Sequence, residues 1–150
     1  MTIASCELLE IEIDGSGSLA IQGILCGEEV NVESSDARAW ASIKLSDKDI
    51  DVETNYNGGT IGFQIEHPEL LESNTTFTVS ELGLLLEGDI VAQNCGLGGD
   101  EDEIPPSSGD VTIAIYDGQH LEGTFDVELN GETISGAFDI EFEESLEPYL

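Results

Sequence analysis

The sequence predicts an all-β domain, an antiparallel sandwich or partly closed barrel of about ten short strands. Three observations lead there. Apolar residues recur with period two along most of the 150 residues, the spacing of half-buried strands. Turn-forming pairs punctuate those runs. One short segment alone has a helical look.

In chain order, Leu9, Ile11 and Ile13 alternate with Glu10, Glu12 and Asp14, and Asp14-Gly15-Ser16-Gly17 reads as a breaker. Weaker strand patterns cover 17–25, 28–33, 37–45 and 49–53, with 59–65 following the turn signal Asn57-Gly58-Gly59. His67-Pro68-Glu69-Leu70-Leu71-Glu72 reads as one or two helical turns, with proline at the first position, where its missing N–H costs nothing. Residues 75–80 and 83–92 are further strand candidates, and Pro105-Pro106 breaks the chain again. Val111, Ile113 and Ile115, then Phe125, Val127 and Leu129, then Phe138, Ile140 and Phe142 alternate with polar residues. Asp117-Gly118 and Asn130-Gly131 lie between these runs, and Asn-Gly suits the two positive-φ positions of a type I′ hairpin turn. Residues 110–142 therefore read as a three-stranded meander with one apolar and one acidic face. Gly123–Leu129 matches Gly136–Phe142 thirteen residues on, as two adjacent strands built alike would, each with a glycine where the sheet bends or bulges.

Charge narrows the function classes. There are 33 Asp and Glu against 3 Lys and Arg, a formal charge of −30. Direct binding to nucleic acid is excluded, because that affinity comes from basic side chains neutralising phosphates. Anionic membrane surfaces are excluded on the same grounds. The chain is nevertheless built to fold: Leu, Ile, Val and Phe make 43 of its 150 residues, about 29%, above the roughly 20% below which disorder is expected. The length suits one domain spanning 1–150, with an acidic Gly/Pro loop at about 94–110. No run of 18 apolar residues exists to span a membrane. A salt-loving cytosol would explain the acidity but would be expected to retain arginine, and Arg38 stands alone. A periplasmic, outer-surface or extracellular setting rich in divalent cations fits at least as well. The cytoplasm is the alternative.

Cys6, Cys26 and Cys95 give an odd count. One disulfide plus a free thiol is compatible with it, and the pairing stays open. With no C-x-x-C spacing or neighbouring histidine, zinc is not indicated. Cys26 is expected as a buried small hydrophobe.

Two motifs carry a family resemblance. Ile3-Ala4-Ser5-Cys6 is similar to the end of a bacterial lipoprotein cleavage site. Gly109-Asp110-Val111-Thr112-Ile113, Leu121-Glu122-Gly123-Thr124-Phe125-Asp126 and Ile134-Ser135-Gly136-Ala137-Phe138-Asp139 together resemble the C-terminal signature of small bacterial surface lipoproteins of uncharacterised function, with Asn74–Val79 as a preceding strand. The resemblance implies an exported all-β domain, a lipid anchor through Cys6 and no catalytic residues.

The candidate chemistry is sparse. Nucleophilic catalysis needs a base, most often histidine, and both His67 and His120 sit beside turns. A glycosidase needs facing carboxylates, which so acidic a chain supplies without meaning. Asn94–Gly99 is glycine-rich, but Asp100 to Glu103 follow and would repel a phosphate. Those acids, Asp100, Glu101, Asp102 and Glu103, with Asp110, form a candidate Ca²⁺ site, since calcium takes six to eight oxygens in flexible loops. Asp47, Asp49 and Asp51 form a second alternating set. Arg38, Trp40, Ser42 and Lys44 share one phase of a strand whose other phase is Ala37, Ala39, Ala41 and Ile43. Trp40 is thus either a core residue or, with Arg38 and Lys44, part of a partner-binding patch. The first functional reading is a non-catalytic, exported or surface-attached domain that binds a protein or a divalent cation. The alternative is an intracellular acidic decoy that mimics DNA and occupies a nucleic-acid-binding protein.

Overall fold

A computed structural model describes residues 10–150. The readings that fall on Leu9 and on the anchor at Cys6 lie outside them. Ten strands form one antiparallel sheet: β1 (Ile11–Leu25), β2 (Glu28–Ile43), β3 (Lys48–Tyr56), β4 (Gly59–Ile65), β5 (Thr75–Thr78), β6 (Leu84–Glu87), β7 (Glu103–Ile104), β8 (Ser108–Tyr116), β9 (His120–Leu129) and β10 (Glu132–Phe142). Their spatial order is β5-β8-β9-β10-β1-β2-β3-β4-β6-β7. Helices α1 (Val79–Leu82) and α2 (Asp89–Cys95) and the 3₁₀ turns Pro68–Leu70 and Glu147–Tyr149 are the other elements of the described residues.

The sheet is curled into a half-barrel, and two facts require this. β4 stands four strands from β10, about 19 Å away in a flat sheet at normal strand spacing. Yet the Phe63 ring lies 4.9 Å from that of Phe138 and 5.4 Å from that of Phe125 on β9. Ile104 at one edge and Ser108, which opens the strand next to the other edge, are also only four residues apart, a reach of about 14 Å at most. The apolar side chains of both halves point into the curl and form one core.

The first two strands are long, at 15 and 16 residues, where the sequence suggested shorter pieces. Asp14-Gly15-Ser16-Gly17 is not a break but lies inside β1. A Cβ on Gly17 would stand 1.9 Å from the Asp139 carbonyl oxygen, so glycine there lets β1 and β10 approach as the sheet bends. In β2 the register shifts by one opposite Ser18, leaving Ser35 and Asp36 against a single partner. Such a bulge reverses which phase faces inward. Val30 and Val32 are buried before it and Ala37, Ala39 and Ala41 after it, which is why one strand read as two.

The meander is β8, β9 and β10. Asn130 and Gly131 have φ of 55° and 79°, as a type I′ turn requires. A bulge at Ala114 turns Ile115 outward, against its expected place in the core. The repeat has a packing role. Register places Gly123 opposite Phe138 and Gly136 opposite Phe125, so each phenylalanine covers the other strand's glycine. Both rings then meet Phe63 from across the curl.

The segments 75–80 and 83–92 are each split between strand and helix. Thr78 caps α1 through a reciprocal pair with Glu81: its hydroxyl accepts from the Glu81 N–H at 3.2 Å, and its own N–H donates to Glu81 Oε1 at 2.8 Å. Cys26 is not a free buried thiol. It occupies the β1–β2 turn at φ 50° and forms a disulfide with Cys95 at the end of α2, with a Cα–Cα distance of 5.1 Å.

Candidate functional site

All the sequence-predicted partner residues stand on the outer, solvent side of β2 or just beyond its end. Trp40 is therefore not a core residue: the alanines fill the inward phase, and the half-buried indole lies between Asp14 of β1 and Asp51 of β3. Arg38 donates to Glu53 Oε1 at 2.9 Å and is itself exposed. Lys44 follows the strand end, its N–H bonded to the Asp47 carbonyl. Glu12, Asp14, Arg38, Trp40 and Glu53 line an open depression. The result is an aromatic ring in a field of carboxylates, with one guanidinium already paired.

Beside Trp40 the outer face holds a buried acid pair that the sequence did not single out. Asp51 is 6% and Glu87 7% exposed. Glu87 stands opposite Gly62, which in turn stands opposite Glu53. Gly62 has no side chain and has room for none, since a Cβ there would lie 1.9 Å from the Val52 carbonyl oxygen. From either side of β4, Glu87 and Asp51 come close enough for their carboxyls to act on each other. Gln64 donates to Asp51 Oδ1 at 3.2 Å. Burial pushes Glu87 up to about 10, reinforced by its bond to Asp51 and by the charges of Asp51, Glu53 and Glu103. Burial also raises Asp51, to about 7, with help from the Asp49 charge and against the bonds from Glu87 and Gln64. A carboxyl–carboxylate bond needs one proton, and this pair holds it through the neutral range.

The acidic loop is spread out. Asp100 and Glu101 follow α2, Asp102 accepts the Gly88 N–H through its carbonyl at 2.8 Å, and Glu103 lies in β7 opposite Glu87. Asp110 is on β8, opposite Asp126. All five are exposed, and no three bring ligand atoms within 4.8 Å of one another.

Among the described residues that convergence occurs at His120, Glu122 and Asp139. His120 Nε2 lies 2.7 Å from Asp139 Oδ1 and 3.8 Å from Glu122 Oε1. The Asp117 carboxylate accepts the His120 N–H at 2.7 Å and the Gln119 N–H at 3.0 Å, which fixes the turn before β9 and holds Asp117 below the usual carboxylate range. The bond to Asp139 raises His120, with the charges of Asp139, Glu141 and Glu122 adding to it. The signal for this cluster was present in the sequence. An Asn130-Gly131 hairpin pairs 129 with 132, hence 122 with 139 and 120 with 141.

No helix among the described residues is long and apolar enough to cross a membrane. Comparison with protein-family models, curated proteins and solved structures returned no match.

Proposed function

We propose that this chain is a non-catalytic, exported β domain that binds a basic protein surface through the outer face around Trp40. The observation that carries the reading is the placement of the chain's one tryptophan. It lies on the solvent side of the sheet, half-buried, with Asp14 beside it and Glu12 and Glu53 at the rim. Acids around an aromatic ring suit lysine and arginine side chains, which gain both charge pairing and a cation–π contact. The net charge of −30 would also speed the encounter with a basic partner. The Cys26–Cys95 disulfide favours an oxidising compartment, in line with the resemblance to surface lipoproteins. Acids also stand outward on the far strands, at Asp110, Asp126 and Asp139. That spread favours a localised Trp40 contact within a generally solvating surface over the ordered rows a DNA mimic would need.

A cationic lysine-rich peptide is the probe, with calorimetry for affinity and Trp40 emission for location. The expected result is a saturable emission shift, with binding weakened several-fold by Glu12→Gln/Asp14→Asn and much less by Asp110→Asn/Asp126→Asn. Both double variants remove the same charge. Equal weakening by the two would mean diffuse attraction and overturn the Trp40 face, as would binding without any emission change.

A further inference from the structure

We propose that His120, Glu122 and Asp139 form a binding site for a divalent transition-metal ion of the zinc type. Register builds the site. His120 and Glu122 are two residues apart on β9 and so share its outer face, and Asp139 on β10 lies directly opposite Glu122. All three are carried by paired strands whose alignment the Asn130-Gly131 turn sets. Ligand atoms around a tetrahedral ion with bonds of 2.0–2.2 Å stand roughly 3.3–3.5 Å apart. The present separations from His120 Nε2, 2.7 Å to Asp139 and 3.8 Å to Glu122, bracket that value. Small side-chain rotations would open the first and close the second.

The donor set indicates the class of ion. An imidazole nitrogen with two carboxylate oxygens suits zinc and its neighbours, whereas calcium and magnesium take oxygen ligands alone. Two carboxylates match the charge of a dication, and Glu141, paired with His120, adds a third nearby. A simple His120–Asp139 ion pair would need no third group, yet Glu122 converges on the same nitrogen. The cluster borders an open groove lined by Ser18, Glu33 and Ser35, which leaves room for water at a fourth position. This inference concerns strands other than those bearing Trp40 and is independent of the partner proposal.

The test is calorimetric titration of Zn²⁺ into the intact, chelator-treated protein at fixed ionic strength, with Ca²⁺ and Mg²⁺ as references for the general acid surface. The expected result is one saturable Zn²⁺ per chain. Its affinity should fall at least tenfold in His120→Ala and again in Asp139→Asn, and stay unchanged in His67→Ala, with circular dichroism confirming that each variant folds. Zn²⁺ should also shift the imidazole resonances of His120 and not those of His67. Weak, non-saturating Zn²⁺ uptake equal to that of Ca²⁺ would overturn the site. So would a tight Zn²⁺ that survives His120→Ala or is lost in His67→Ala.

Discussion

The meander β8–β10 and the opposite half, β3, β4, β6 and β7, both carry acids on the outer face, but those acids meet different fates. On β9 and β10 every outward position between His120 and Asp126, and between Asp139 and Glu141, has a side chain, and the carboxylates stay in water beside a histidine. On β4 the outward position at Gly62 is bare, and Glu87 and Asp51, on either side of that strand, are both buried. Burial on this side raises two carboxyls that would otherwise stay solvated charges. The acidity of a surface is thus set by its rows of neighbours as much as by its composition.

The largest expected effect comes from breaking the contact between the halves. Phe63 is fully buried against Phe125 and Phe138, so Phe63→Ala should cost about 3–5 kcal/mol in denaturant unfolding. A loss under about 1 kcal/mol would mean the curl is held some other way. Next is the staple of the less regular half. The disulfide closes a separation of 69 residues between the β1–β2 turn and α2. Cys26→Ser/Cys95→Ser should therefore lose roughly 4 kcal/mol in the chain-entropy view. Hydrogen exchange should accelerate first in α2, β6 and β7 and leave β8–β10 protected; uniform acceleration would deny the two halves separate stabilities.

The smallest effect sharpens the contrast most. Glu87 and Asp51 both titrate higher folded than free, so the folded state holds more protons. Their contribution is complete below the ordinary carboxylate value near 4 and is lost as pH rises through about 7 for Asp51 and about 10 for Glu87. The melting temperature should fall from pH 5 to pH 9. Glu87→Gln should flatten that fall and stabilise the protein at pH 8, on the order of 1 kcal/mol. A melting temperature that climbs over this range, or an unaltered slope in the variant, would remove the shared proton.

Much of this was legible. Alternation and Asn130-Gly131 define the meander, because a two-residue turn and a solvated face leave one register. Proline at 68 marks its short helical turn. The rest depended on long-range contacts. The β2 bulge reverses phase at Ser35 and Asp36, which no local pattern distinguishes from a loop. Cys95 finds Cys26 only once α2 sits under the β1–β2 turn. The Asp51–Glu87 pair spans two strands joined by neither turn nor alternation, and Gly62 has no pattern of its own. Helix α1 does have a local signal, since Thr78 and Glu81 have the spacing of a capping box. The same holds for the His120 cluster, which follows from extending the hairpin register seven residues from Leu129 to Glu122.

The brevity of the two border strands has a consequence for encounters between molecules. The end strands β5 and β7 are only four and two residues long, so an incoming extended chain finds few unpaired backbone groups to template on along either of them. Pro105 and Pro106 follow β7 at once and have no N–H to offer, and Glu103 on β7 is exposed and charged. Growth by strand addition, the route to domain swapping and fibrils, is blunted at both borders. The two end strands thus add little to backbone-mediated self-association, while the outer side chains of the sheet stay available to something else.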